Sequence, residues 1–435
     1  MENGIRDINW YTEARFGLFI HFGLYSMAAR HEWVKTWEKI PEDKYDLYFK
    51  HFNPDLFDAG EWARSAKRAG IKYAILTAKH HEGFCLWDTQ QTDYKSTNTP
   101  FGRDIVREYV DAFRAEGIKI GIYYSLIDWH HEHFTIDVFH PLNRLPDAAE
   151  MNKLRDMNIY REYMRMQVSE LLTGYGRIDL LYFDNSYPGK APVTWAEEIH
   201  PLAYSPHFDG KGKDDWGAEA LIETARMIQP HILINDRTEL QQDIFTGAEQ
   251  LKLRGWPVDP ATGERYVWET WQTFGGSWGY SRDERDWQTP HMILDAMVGA
   301  VSCGGNFLLN VGPNPRGEFG RRAENILEEI GIWMRRCGRS VYGCSMAGFT
   351  SPAGFRYTQN GNSLYLHFLN WIAPDIGWPF YEIVLEGMAS KVEYAQFLHD
   401  GSEIKLRELD GNLHLNIPVA QPDSVLPVIE MFLKG

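Results

Sequence analysis

Short apolar runs alternate with longer amphipathic segments along the first three quarters of the chain. "RFGLFIHFG" reads as a strand ending near His21, and "IKYAILTA" as a second ending just before His80. "FGRDIVREYVDAFRAEG" has apolar residues at helical spacing, with Gly117 as its stop. "IKIGIYYS" is a third strand, residues 148–174 a long helix, and "IDLLYFD" a fourth strand ending at Asp184. "AEALIETARMI" is helical and closed by Pro230; "HILIND" is a fifth strand and "RYVWETW" a sixth. "TPHMILDAMVGAVSCGG" is a helix with Pro290 in its first turn, followed by the strand "NFLLNVG" and the helix "AENILEEIGIWMRRCG".

Strands that alternate with helices make βα units around a parallel sheet. At least seven of them favour a TIM-type (β/α)8-like barrel over a doubly wound sheet. No G-x-G-x-x-G follows the first strand, and "VGPNPRG" lacks the Lys-Ser/Thr of a phosphate loop, so it reads as a turn. After about Val341 the texture changes to strand-like runs separated by Asn-Gly and Asp-Gly turn signals. The expected organisation is a barrel over residues 1–345 and a C-terminal antiparallel β-sandwich over 346–435.

Composition narrows the function. The chain has 435 residues and a formal net charge of −16. That balance argues against nucleic acid and anionic membrane as partners, which require clustered Lys and Arg. Cys85, Cys303, Cys337 and Cys344 form no CxxC pair and read as reduced, buried thiols. With no apolar leader run, the expected location is cytoplasmic. The 16 Trp, 22 Tyr and 23 Phe, several beside polar residues at strand ends, suit a sugar site. There an aromatic face packs on the C–H face of the ring.

In barrel enzymes the active site lies at the C-terminal ends of the strands. The polar residues there are His21, His80, His81, Tyr123, Tyr124, Asp184, Asn185, Asn235, Asp236, Arg237, Glu269 and Asn310. Two chemistries could use them. One is glycoside hydrolysis by two carboxylates, with Asp184 as the nucleophile. The other is metal-dependent hydrolysis with histidine ligands. The first strand carries His21 alone rather than His-x-His, which weakens the second. The run "WHHEH" also tempts a metal reading, but its adjacent histidines cannot all face one ion. The plainer alternatives are hydrogen-bonding histidines at strand ends and, for Asp184, a helix N-cap. A non-catalytic sugar-binding protein is a third possibility.

Eight stretches, in order, carry a family likeness: "WYTEARFGLFIHFGLYS", "HEWV", "YAILTAKHHEGFCLWDTQQTDY", "GRDIVREYVDAFRAEGIKIGIYYSLIDWH", "LLYFDN", "INDR", "WETWQTFGGSWGY" and "GGNFLLNVGPNPRGEF". With them the sequence resembles the α-L-fucosidases of glycoside hydrolase family 29. The resemblance implies a retaining exo-hydrolase that uses no cofactor and no catalytic metal and acts on fucosylated oligosaccharides or glycosides, and it is compatible with a homo-oligomer. It implies Asp184 as nucleophile. His21, Glu32, Trp33, His80, His81, Tyr123 and Arg237 match its sugar contacts, Trp278 the aromatic facing the C5 methyl, and Tyr182 a position where the family often has Trp.

The acid/base lies in a variable segment of that family. Here "DIFTGAEQ" nominates Glu249, with Glu269 of "VWETW" as the rival and Glu239 third. Two departures stand out. Glu82 replaces a frequent Asp, and "LYFDNS" replaces the commoner Trp-Phe-Asp-Gly form, changing the surroundings of the nucleophile.

Overall fold

The computed structural model describes residues 6–189, 205, 207–246, 255–371 and 380–435. Eight strands form its first sheet: β1 (Phe16–Ile20), β2 (Tyr73–Lys79), β3 (Lys119–Ser125), β4 (Leu180–Asp184), β5 (Leu233–Ile234), β6 (Phe245–Thr246), β7 (Trp268–Thr273) and β8 (Asn306–Val311). Neighbours run β5-β4-β3-β2-β1-β8-β7-β6, and every ladder is parallel. A parallel bridge between Asn235 and Ile244 joins the two edge strands, so the sheet closes on itself. No helix among the described residues is long and apolar enough to cross a membrane.

The strands are continuous apolar runs because both of their faces are covered. One face packs inward, where Tyr11, Phe19, Tyr73, Ile75, Tyr123, Leu180, Tyr182, Trp271 and Leu308 fill the barrel. The other packs on the helices in a second, larger core. Gly17 makes room inside the barrel. A Cβ there would lie 2.3 Å from Tyr73 Cε2, so only glycine lets that ring cross β1.

Helix starts follow local chemistry. Asp104 accepts the Arg107 amide at the start of Ile105–Ala115, and Thr289 accepts the Met292 amide ahead of Pro290–Ser302. The long helix expected over 148–174 is two helices, Ala148–Asn152 and Met157–Gly174. Asp156 breaks it by capping the second, its carboxylate accepting the Asn158 amide. "RYVWETW" forms β7, not the sixth strand. The sixth is the two-residue β6, reached from β5 by a short turn with no helix between them. Asp236 Oδ1 fixes that turn by accepting both the amide and the hydroxyl of Thr246, at 3.0 and 2.7 Å.

One irregularity decides what the barrel mouth looks like. In the β2–β3 ladder Thr77 pairs with Tyr123 but Lys79 pairs with Tyr124, so β2 carries one extra residue, Ala78. A bulge of this kind resets the alternation of side chains. Lys79 therefore shares the helix-facing side with Tyr124, and His80 comes round to the mouth beside Tyr123. Lys79 is fully buried and held by Asp128, 3.0 Å away, and by the Tyr124 hydroxyl, 3.0 Å. The other oxygen of Asp128 accepts the amides of His130 and His131.

Beyond the barrel, the described residues form seven antiparallel strands in two sheets. β9 (Phe355–Asn360), β10 (Ser363–Phe368), β12 (Val392–Phe397) and β15 (Val428–Leu433) make one; β11 (Phe380–Leu385), β13 (Lys405–Leu409) and β14 (Asn412–Pro418) the other. The Asp410-Gly411 turn has both residues at positive φ, +50° and +81°, as a tight hairpin turn between right-twisted strands requires. The sandwich docks on the barrel helices. Trp333 Nε1 donates to Leu426 O at 2.7 Å, and Arg356 pairs with Asp295 at 3.2 Å.

Replacing Lys79 by Met should lower unfolding free energy by about 3–5 kcal/mol, because it leaves Asp128 buried without its cation. Adding Asp128→Asn should recover part of that loss. Denaturant midpoints of the two variants check it, and a single variant as stable as the parent would contradict it.

Candidate active site

Asp184 is the last residue of β4 and faces the barrel mouth. Its Oδ2 accepts the Tyr123 hydroxyl at 3.0 Å. Its Oδ1 accepts no hydrogen bond among the described residues, and Arg237 Nη1 stands 3.7 Å from it as an electrostatic partner. Burial pushes the Asp184 carboxyl above the ordinary aspartate value; the Arg237 charge, the Tyr123 hydroxyl and the Asn185 backbone amide pull it back only in part. Arg237 is itself positioned. Its Nε donates to Thr246 Oγ1 at 3.0 Å, and its guanidinium lies 4.8 Å from the centre of the Trp271 ring.

The three expected histidines come together. His80 lies 5.5 Å from His21 and 3.9 Å from His81, ring centre to ring centre, and stacks on Tyr123 at 5.9 Å. Burial drives His21 down to about 3 and holds His80 and His81 well below the usual histidine range. All three are therefore neutral near pH 7, each ring able to give one hydrogen bond and accept one. His21 Nδ1 sits 2.5 Å from Asn310 Oδ1. His80 Nδ1 is buried with no hydrogen-bond partner among the described residues. His81 Nδ1 contacts Ser125 Oγ, and its Nε2 contacts Asn185 Nδ2, both at 2.7 Å.

Indoles frame this wall. Trp33 packs edge-on to His81 at 5.1 Å and to Trp129 at 5.5 Å; Trp278 lies 5.4 Å from His21. Glu32 anchors the Trp278 turn. Its Oε2 accepts the Ser277 hydroxyl and the amides of Trp278 and Gly279 at 3.2, 3.1 and 2.9 Å. Asn310 Nδ2 donates to Trp278 O at 2.7 Å, tying the same turn to His21. Glu82 shapes the turn after β1 by accepting the Leu24 amide at 2.9 Å and the Tyr45 hydroxyl.

Trp129 was not singled out by its sequence context. It is held against His81 by its own amide, which donates to His81 O at 2.8 Å, and its buried Nε1 has no hydrogen-bond partner among the described residues. The cue was the neighbouring Asp128, whose pairing with Lys79 only the fold discloses.

Two expectations are corrected. Tyr182 does not line the mouth; it is fully buried in the barrel interior, its hydroxyl 2.9 Å from Glu269 Oε1 and 3.2 Å from the Tyr11 hydroxyl. Glu269, the rival acid/base, is the second residue of β7, paired in register with Thr246 on one side and Asn306 on the other, and its side chain lies in the barrel interior below the mouth. Both its oxygens are saturated: Oε1 by Tyr182 and Trp271 Nε1 (2.9 and 2.7 Å), Oε2 by the Tyr11 hydroxyl at 2.8 Å and the Tyr73 hydroxyl. Burial raises its carboxyl to about 6, against those four donors. Glu239 is exposed and accepts the Lys213 amide at 2.8 Å. Glu249, the first choice, lies outside the described residues.

Among the described residues, Glu42, Asp46 and His130 are the group close enough to share a metal ion, and it includes none of His21, His80, His81 and Asp184. In the "WHHEH" loop His130 bonds Glu42 at 2.8 Å and stacks on Tyr94 at 3.7 Å. All four cysteines are free and buried.

A carboxylate with one uncommitted oxygen, backed by arginine and tyrosine and ringed by neutral imidazoles and indoles at a barrel mouth, is the layout of a barrel glycoside hydrolase. The family model for Alpha-L-fucosidase matches residues 5–339, and the chain belongs to that family. Among curated relatives, the Alpha-L-fucosidase of Dictyostelium discoideum is 28% identical, with 97% of this chain and 91% of that protein covered. Among solved structures, Alpha-L-fucosidase isoenzyme 1 from Paenibacillus thiaminolyticus is 41% identical with a TM-score of 0.86, and both chains are fully covered. A Bacteroides thetaiotaomicron α-L-fucosidase GH29, described as a trapped covalent intermediate in complex with 2-fluoro-fucosyl fluoride, is 28% identical with a TM-score of 0.79; 98% of this chain and 96% of that one are covered.

Replacing Glu269 by Gln should test its structural placement. The amide can accept at one atom only, so two of the four donors lose their acceptor, costing about 2–4 kcal/mol of stability. Folded Glu269→Gln protein should keep the parent's basic limb in its pH–rate profile. Loss of that limb, with the melting temperature unchanged, would return Glu269 to the role of proton donor.

Proposed function

We propose that the chain hydrolyses terminal α-L-fucose from fucosylated glycans or glycosides by double displacement, with Asp184 as the nucleophile. The observation that carries this is the state of the Asp184 carboxylate. One oxygen is steadied by Tyr123, the other has no hydrogen-bond partner among the described residues, and the Arg237 charge favours the ionised form.

The free oxygen attacks the anomeric carbon from the face opposite the leaving group. The bond to the leaving oxygen breaks, and that oxygen takes a proton from a carboxylic acid. A covalent fucosyl–Asp184 ester results. A water molecule, deprotonated by the same carboxylate, then attacks the anomeric carbon, releases fucose with its configuration retained and frees Asp184. Neutral His21 and His80 bind sugar hydroxyls without adding charge that would compete with Arg237. Trp278, on its anchored turn, offers an apolar face to the sugar's methyl side.

Glu249 is the proposed acid/base. Thr246, which bonds Arg237, ends β6 at the same open end of the barrel as Asp184. Glu249 follows Thr246 three residues on in the sequence. No observation favours a metal-dependent reaction or a purely sugar-binding role over this one.

Asp184→Gly should abolish release of nitrophenol from 4-nitrophenyl α-L-fucoside, and external azide should restore it as the β-fucosyl azide. Undiminished turnover without azide would remove Asp184 from the role.

The pH dependence follows from the same geometry. Asp184 must be ionised to attack, and its carboxyl lies above the ordinary value. The acidic limb of kcat/KM should therefore fall above the usual aspartate range. Arg237→Met removes a charge that favours ionisation, so the limb should move further up and kcat/KM should fall by roughly tenfold or more. A limb that stays put or moves down would show that Arg237 does not act on Asp184.

A further inference from the structure

We infer that Asn185 is a substrate contact of this site, and that it, rather than His81, presents the hydrogen-bonding group to the sugar hydroxyl on the His81 side. The inference rests on the fucosidase reading above and adds to it a residue that the reading does not use.

The argument starts from Ser125. Its Oγ is 2.7 Å from Ile127 O, an acceptor only, so the hydroxyl hydrogen points there. Oγ also accepts the Ile127 amide at 3.1 Å. Its remaining contact, with His81 Nδ1 at 2.7 Å, is then one in which the imidazole donates. The proton of neutral His81 is thereby fixed on Nδ1, and Nε2 is a bare acceptor. Asn185 Nδ2 lies 2.7 Å from that Nε2 and donates to it.

Both nitrogens of His81 are thus engaged inside the protein. What the pair leaves over is the other half of the Asn185 amide, its Oδ1 and its second N–H. No other hydrogen bond to either atom is present among the described residues. The amide belongs to the residue directly after Asp184, on the same turn at the barrel mouth.

The backbone makes this placement possible. Asn185 has φ of +67°, the left-handed region where asparagine is among the few tolerated side chains. Glycine would keep the same turn and leave His81 Nε2 exposed to the sugar. Asparagine occupies that position and substitutes its own donor and acceptor. A sugar hydroxyl meeting this amide can give a hydrogen bond to Oδ1 and take one from Nδ2, which a bare Nε2 acceptor cannot do.

The test uses Asn185→Gly, which relieves rather than adds backbone strain. kcat/KM is measured for 4-nitrophenyl α-L-fucoside and for its 2-, 3- and 4-deoxy analogues, with wild type and variant side by side. The expected result is a loss of about tenfold on the parent glycoside, chiefly in KM. On the one analogue lacking the contacted hydroxyl, wild type and variant should differ by less than about twofold.

Equal losses on all four substrates, or no loss on the parent, would overturn the assignment. Asn185→Asp gives a second readout. A carboxylate there has no N–H for His81 Nε2 and places negative charge beside Asp184, so the acidic limb of kcat/KM should move up. A limb that does not move would also count against the contact. Failure of the wild type to turn over the parent glycoside would instead remove the fucosidase reading itself, so the two failures are distinct.

Discussion

The barrel mouth depends on the one extra residue in β2. With a regular ladder, Lys79 would follow Tyr73, Ile75 and Thr77 onto the inward face, and His80 would turn toward the helices. The bulge at Ala78 reverses this. It needs a stable place for a lysine ammonium in a dry layer, and Asp128 with the rings of Tyr124, Tyr160 and Tyr163 supplies it. The same aspartate caps the following loop, which brings Trp129 against His81. A buried ion pair is an inefficient way to gain stability compared with apolar packing. Here it fixes which side chains reach the mouth.

Two buried carboxylates show how environment separates structural from chemical roles. Glu269 and Asp184 are both pushed upward by burial. Four donors saturate Glu269, two on each oxygen, inside the barrel. Asp184 has one hydroxyl donor, and its other oxygen faces a guanidinium beyond hydrogen-bond distance. A saturated carboxylate has no lone pair to give to a carbon atom; Asp184 does. The histidines around it are kept neutral by burial, so Arg237 is the cation that sets its ionisation.

Much of this was legible in the sequence. Unbroken apolar runs mark doubly covered strands, and the residues ending them, His21, His80 and Asp184, meet at one mouth as their positions implied. β6 was not legible, because two residues carry no periodic signal. The bulge was not, since one extra residue leaves the apolar pattern unchanged. Tyr182 and Glu269 misled for a shared reason. Both face inward, but their depth in the barrel depends on strand stagger, which local sequence does not encode. Tyr182 sits one inward position below Asp184 and reaches down to Glu269 rather than up to the sugar. Asn185 was visible as a strand-end polar residue, yet its left-handed backbone and its contact with His81 were not.

The loop that follows Asp184 is held by a second arrangement of the same kind. After Asn185 turns the chain, Ser186 accepts Trp216 Nε1 at 3.0 Å, and the Tyr187 amide donates to Lys211 O at 2.8 Å. Lys211 is buried on Asp137 at 2.6 Å, and the Tyr187 hydroxyl donates to the same carboxylate at 2.8 Å. Each buried lysine–aspartate pair thus lies behind one half of the site, Lys79 with Asp128 behind the histidines and Lys211 with Asp137 behind the Asp184 loop. A charge buried beside its partner tolerates little displacement, because separation leaves both ions desolvated. Apolar packing alone allows rotamer and register alternatives of similar energy. In the proposed reaction Asp184 must meet one carbon atom at bonding distance while the His81–Asn185 pair meets a hydroxyl on the same ring. Two rigid anchors, one behind each wall, hold that separation constant.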